Sequence, residues 1–186
     1  MTTDTTINTA AAESSSTKHS NYLVLHKYSG FEIRDYPAIL YASVLKKGRM
    51  MEAGNDGFRD LAGYIFGGNE KSQKMAMTAP VTFHLSPDVE DRMEMSFTLP
   101  DGVTLANAPK PDYPQVKIHQ EAPVRLAVLS FSGFANNEKI EDRADQLRLL
   151  LKKEGIKWLE PCRFMAYNSP YRLFFRRNEV AFVIQN

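Results

Sequence analysis

Cysteine is almost missing from this chain. Cys162 stands alone among 186 residues, so no intramolecular disulfide can form and no zinc site can be assembled on thiolates. A reducing compartment suits such a chain, and a cytoplasmic location is expected. Long apolar runs are missing too: none approaches the ~18 residues that a membrane-crossing helix needs. An excess of either charge is likewise absent. Twenty-three basic against 22 acidic side chains leave a net charge of +1, which provides no electrostatic footprint for nucleic acid or an anionic membrane. The four histidines, His19, His26, His84 and His119, include no pair at i,i+3 or i,i+4, so no helical metal site is expected. A phosphate-cradling glycine loop, a Gly-x-Ser-x-Gly elbow and a paired-carboxylate motif are also missing, and with them the common signatures of nucleotide and acyl-transfer enzymes.

What is present is an ordinary globular composition, 43% apolar and 24% charged, in a chain long enough to bury roughly 70% of its unfolded surface without staples. Residues 1–20, rich in Thr, Ser and Ala, have neither a basic start nor an apolar stretch. They do not read as a signal peptide and are expected to be a disordered tail. Residues 21–186 are expected to form one domain. Phe31–Tyr36 and Ala38–Leu45 read as strands. Phe58, Leu61, Ala62 and Ile65 form one helical face, stopped by Gly67-Gly68. Val81, Phe83 and Leu85, then Met93, Met95, Phe97 and Leu99, alternate as a hairpin, which puts Thr82, His84 and Ser86 on the solvent side. The order then repeats. Val116–Pro123 and Val124–Phe131 precede a helix with Ile140, Ala144, Leu147 and Leu151 on one stripe, and two further strands follow. The pseudo-repeats span about 28–100 and 115–186, joined by the proline-stiffened connector Asn107–Pro114. Laid over each other, they set Met75–Pro80 against Met165–Pro170. A duplicated β-α-β-β unit predicts an α+β fold: a distorted antiparallel β-barrel flanked by two helices.

For chemistry, the concentration of Met75, Met77, Met93, Met95 and Met165 near aromatic residues has two readings. Soft, adaptable side chains suit a flat apolar ligand whose carboxylates Arg172, Arg176 and Arg177 would hold, or they are core filling with a solvated basic rim. Cys162 lacks any nucleophile motif and is expected to be a buried, inert thiol. Glu179, beside Arg176 and Arg177, reads as a structural ion pair.

Five stretches taken together resemble the SOUL haem-binding protein family: FEIRDYPA (Phe31–Ala38), GGNEK (Gly67–Lys71), KMAMTAPVTF (Lys74–Phe83), AYNSP (Ala166–Pro170) and RRNEVAFVIQ (Arg176–Gln185). They occur in the family's order, and the resemblance runs from about Tyr22 to the C-terminus. It implies the same distorted barrel and non-covalent binding of haem or another porphyrin by a non-enzymatic carrier, buffer or sensor. Separately, the charge balance leaves no nucleic-acid or membrane partner expected, and a monomer is expected. Some members have a histidine in the FEIRDY motif proposed as an axial iron ligand. Asp35 stands there in this chain, a hard oxygen poorly matched to haem iron. Other members hold the porphyrin on the first helix, which by resemblance points to Asp56, Arg59, Gly63 and Tyr64, with Arg172 at a propionate-side position. Arg59 and Arg172 would then pair with propionates, Tyr64 would stack or hydrogen-bond, and Met75 or Met77 would offer a weak axial thioether if its side chain faces the cleft. The duplicated fold also resembles bacterial effector-binding domains and a few hydrolases, in which case Glu179 is the candidate general base. A protein-interaction module is the third reading.

Overall fold

Alternation and helical periodicity become nine strands and two helices in the computed structural model, which describes residues 22–48, 50–85, 92–168 and 176–185. The first half runs β1 (Leu23–Lys27), β2 (Glu32–Tyr36), β3 (Ile39–Lys47), α1 (Met50–Ile65), β4 (Val81–Leu85) and β5 (Arg92–Thr98). The second runs β6 (Lys117–Glu121), β7 (Val124–Ser132), α2 (Asn137–Lys153), β8 (Trp158–Ala166) and β9 (Arg177–Ile184). The expected tail, Arg172 and Pro170 lie outside the described residues.

All strands join one antiparallel sheet in the order β1-β2-β7-β9-β8-β4-β5-β3-β6. Leaving β1 aside, the order is symmetric about the β4–β8 seam, where Phe83 faces Phe164. Registers repeat between halves: Val44 opposes Met95 as Leu129 opposes Val180, and Tyr41 opposes His119 as Leu126 opposes Arg34. The second comparison shows an exchange. β2 pairs with β7, and β6 with β3, so each half donates a strand to the other. This explains why β2 and β3, only two residues apart, form no hairpin.

The duplication therefore stands, but its motif alignment changes. β4 corresponds to β8, so Lys74–Pro80 precedes its strand whereas Met165 and Ala166 close theirs. Residues 66–80 link α1 to β4, while residues 154–157 alone link α2 to β8. Unequal loops slide similar letters out of structural register.

Ala53, Leu61 and Ile65 of α1 are buried against β3 and β5. Gly67, at φ +116°, ends the helix: its N–H donates to Tyr64 O at 3.4 Å and the Gly68 N–H to Gly63 O at 2.8 Å, the Schellman pattern that favours glycine. α2 starts at Asn136, whose side chain accepts from the Lys139 N–H at 2.9 Å. The expected stripe Ile140, Ala144, Leu147 and Leu151 is buried in full; each large apolar side chain so placed contributes about 1.5–3 kcal/mol.

The far face of the sheet is also shielded, because the sheet curls. Arg163 of β8 and Glu121 of β6 are four strand positions apart, about 19 Å in a flat sheet at ~4.8 Å per strand. Yet their side chains meet in a bidentate pair at 2.6 and 2.9 Å. The expected distorted barrel with two flanking helices is what the chain forms. The curl also corrects the expectation for Thr82 and His84. Thr82 is 2% exposed and His84 half-buried, facing the shielded interior rather than solvent.

Candidate functional site

Helix α1 carries Asp56, Arg59, Gly63 and Tyr64 of the residues singled out by resemblance, and it holds them in different directions. Arg59 is exposed and pairs with Asp56 at 3.3 Å one turn away. Gly63 lies one further turn along the same stripe, under the ring of Tyr113 from the connector: a Cβ at Gly63 would stand 3.0 Å from Tyr113 Cε2, and one at Gly68 only 2.5 Å from it. The Tyr113 ring fills the side-chain space at Gly63, and at Gly68 a Cβ would also stand 2.8 Å from the Gly63 carbonyl oxygen, which calls for glycine there. Tyr64 turns inward. It is 0% exposed, its hydroxyl donates to Pro109 O at 3.0 Å, and burial pushes that hydroxyl above its ordinary value. In this state Tyr64 anchors the connector. Met75 is buried whereas Met77 is 40% exposed; strand alternation would put residues two apart on one face, but this segment precedes β4 as a loop, so the pair is split between core and surface. Met93, Met95 and Met165 are buried, which favours core filling for most of the methionines.

Below α1, Asn69 organises the loop that leads to β4. Its amide donates to Tyr64 O and Gln73 O at 3.0 and 2.8 Å, and its Oδ1 accepts from the Lys71 and Gln73 N–H groups at 3.3 and 3.0 Å. The GGNEK stretch is thus a helix stop followed by an asparagine-centred turn.

The curled interior contains the densest polar cluster among the described residues. Glu179, fully buried on β9, accepts from Arg34 Nη1 at 3.0 Å, Ser130 Oγ at 2.9 Å, Tyr167 Oη at 2.7 Å and Arg177 Nη2 at 2.8 Å. Burial raises its carboxyl, but Arg34, Tyr167 and Arg177 more than offset this and hold it below the usual carboxylate range. Tyr22 closes the cluster, its ring 4.3 Å from the Arg34 guanidinium and its hydroxyl accepting from Arg177 at 2.9 Å. A general base needs a lone pair open to substrate. Both Glu179 oxygens are instead taken up by donors, the geometry of an anchor. Sequence reasoning paired Glu179 with its neighbours in the chain and missed Arg34 and Tyr167. An arginine inside the alternating run FEIRDY was the available signal, because a cation on a mostly buried strand needs a partner.

In the other half of the interior, burial and then the Arg163 guanidinium lower the His84 imidazole below its ordinary value. Cys162 is 4% exposed, and burial pushes its thiol up to about 12. In the folded protein it is expected to react with a thiol reagent at neutral pH more than about a hundredfold slower than in denaturant; native and denatured labelling time courses check this. Among the described residues no three His, Cys, Asp or Glu side chains cluster as a metal site, and no helix is long and apolar enough to cross a membrane.

The SOUL heme-binding protein family model matches residues 17–183. The chain belongs to this family. Mouse heme-binding protein 2 is 33% identical over 161 residues, 84% of this chain and 78% of its own length. Among solved structures, the C-terminal domain of EcmrR superposes with a TM-score of 0.65 at 8% identity, covering 84% of this chain and 97% of that one. A hydrolase from Listeria innocua does so with a TM-score of 0.57 at 10% identity, over 83% and 91%. Identities that low show a shared fold, and the duplicated sheet with its two helices is what is shared.

Proposed function

We infer that this protein binds haem or another porphyrin non-covalently, as a carrier, buffer or sensor. The observation that carries this reading is the family match across residues 17–183, with a relative of 33% identity that bears the name heme-binding protein 2. The α1 surface accords with it. Arg59 offers a guanidinium for a propionate, Gly63 would leave room for a flat ring if Tyr113, which now fills that space, moved aside, and Met77, on the loop between α1 and β4, presents an exposed thioether. Arg172 is retained as a second propionate partner, and Tyr64 contributes by fixing the connector that carries Tyr113. The Glu179 geometry weighs against the hydrolase alternative.

Titration with hemin is expected to give a saturable Soret change at one equivalent or more. Arg59→Ala should weaken binding about two- to fivefold, the effect of losing one exposed ion pair. A titration that never saturates would overturn the reading.

A further inference from the structure

A groove of about 560 Å³ lies away from α1, between the edge strand β1 with its neighbour β2 and the turn joining α2 to β8. That volume falls within the ~300–1,000 Å³ of typical small-molecule sites. Tyr28, Ile33, Ile156 and Ile184 line it with apolar surface, while exposed His26 and Lys157 stand at its rim. It shares no residue with the α1 surface.

The presence of a histidine here is the work of one irregularity. β1 pairs with β2 as Leu23 to Asp35 and Val24 to Arg34, and then the register slips so that His26, not Leu25, opposes Ile33. Directly opposed residues share a face of the sheet. A regular ladder would present Leu25 beside Ile33 and turn His26 away with Glu32. The bulge exchanges them, leaving Leu25 42% exposed. Bulges on edge strands re-aim side chains in this way. The His26 ring rests against Tyr28 with centroids 4.3 Å apart, so the imidazole is held beside the apolar lining.

The donor chemistry of the groove selects among ligands. Arg125 also lines it, but its guanidinium is bidentate to Asp35 at 2.6 and 3.0 Å. Arg125 in turn holds the Asp35 carboxyl below the usual range. Asp35 is therefore committed elsewhere as well as being a hard donor. Lys157 has no carboxylate partner among the described residues. A slot with an apolar floor of Tyr28, Ile33, Ile156 and Ile184 and polar edges, one imidazole and one unpaired ammonium among them, matches a flat, carboxylate-bearing macrocycle whose centre is a metal with affinity for imidazole nitrogen.

We propose that this groove is a second porphyrin seat, in which His26 supplies an axial nitrogen to haem iron and Lys157 pairs with a carboxylate at the ring's edge. The proposal rests on the porphyrin-binding reading and adds to it a site, a ligand and a reason for the bulge. His26 is exposed on an edge strand, so replacing it leaves the core intact.

The test compares hemin with iron-free protoporphyrin IX on wild-type protein, His26→Ala, Lys157→Glu and Arg59→Ala. Binding is read by the Soret band and by quenching of Trp158, the single tryptophan, which follows Lys157 and opposes Ile184. Hemin on wild-type protein is expected to show a nitrogen-ligated band. In His26→Ala that band should be lost and hemin affinity should fall at least about tenfold, with added imidazole restoring the band. Iron-free porphyrin should bind His26→Ala within about twofold of wild type, because it has no iron to ligate. Lys157→Glu should weaken both ligands, and Arg59→Ala should leave the nitrogen-ligated band in place. Hemin binding with a band unchanged in His26→Ala overturns this proposal and leaves porphyrin binding standing. Failure of both ligands to bind wild-type protein overturns the porphyrin reading and this proposal together.

Discussion

Glu179→Ala is expected to lower the unfolding free energy by about 3–5 kcal/mol, the cost of removing one partner from a buried charge pair. The reason is what stays behind. Arg34 has a side chain only 4% exposed and loses its contact with a carboxylate 0% exposed. Arg34 keeps Glu32 at 2.8 Å, but Tyr167 loses the acceptor of its hydroxyl and Arg177 loses an ion pair at 2.8 Å. Glu179→Gln keeps acceptor capacity towards Ser130 and Tyr167 without the charge, so it should fall between wild type and the alanine variant. The pH dependence carries a definite sign. The native carboxyl titrates below the usual carboxylate range, so its contribution is complete above the unfolded-state value and disappears as pH falls through the native one. The stability gap between wild type and Glu179→Ala should therefore narrow in acid and be widest near neutrality. Denaturant unfolding at several pH values measures it. A drop below about 1 kcal/mol at pH 7 would show that the cluster is not the anchor its geometry indicates.

The second large effect is expected at Asn69. This side chain is 2% exposed and makes four hydrogen bonds to backbone groups between Tyr64 and Gln73. Asn69→Leu removes all four, the bond to Tyr64 O being buried and the other three part-buried, which should cost about 2–4 kcal/mol. Asn69→Asp retains the acceptor and loses the donor, so it should cost less than the leucine variant at neutral pH. A local readout separates this from a general loss of packing. The amides of Lys71 and Gln73 should lose protection from hydrogen exchange before those of β7 and β9 do. Equal protection loss across the sheet would argue against a local role for Asn69.

Much of the fold could be read in the residues because the patterns involved are local. The stripe Ile140, Ala144, Leu147 and Leu151 specifies the buried face of α2, since a helix sets its own geometry within four residues. Gly67-Gly68 marked the end of α1 for the same reason. The α1 surface was harder to read. Position along a helix separates Arg59 and Gly63 from Tyr64 by direction, but it does not reveal that Tyr113 would cover Gly63 or that Pro109 would take the Tyr64 hydroxyl. Both come from a connector more than forty positions downstream.

By itself the sequence determined the α+β class, the duplicated plan, both helices and the family. Short-range periodicity and ordered motifs are sufficient for those. Tertiary structure alone decided which strands exchange between halves and that the sheet curls enough for Arg163 to reach Glu121. The interior placement of Thr82, His84 and Glu179 follows from that curl. Each of these depends on pairing between segments far apart in the chain, where the energy lies in closing the sheet rather than in any one strand. The same holds for His26. Alternation assigns the inward position to Leu25, and only the pairing of β1 with β2 shows the extra residue that gives that position to a histidine.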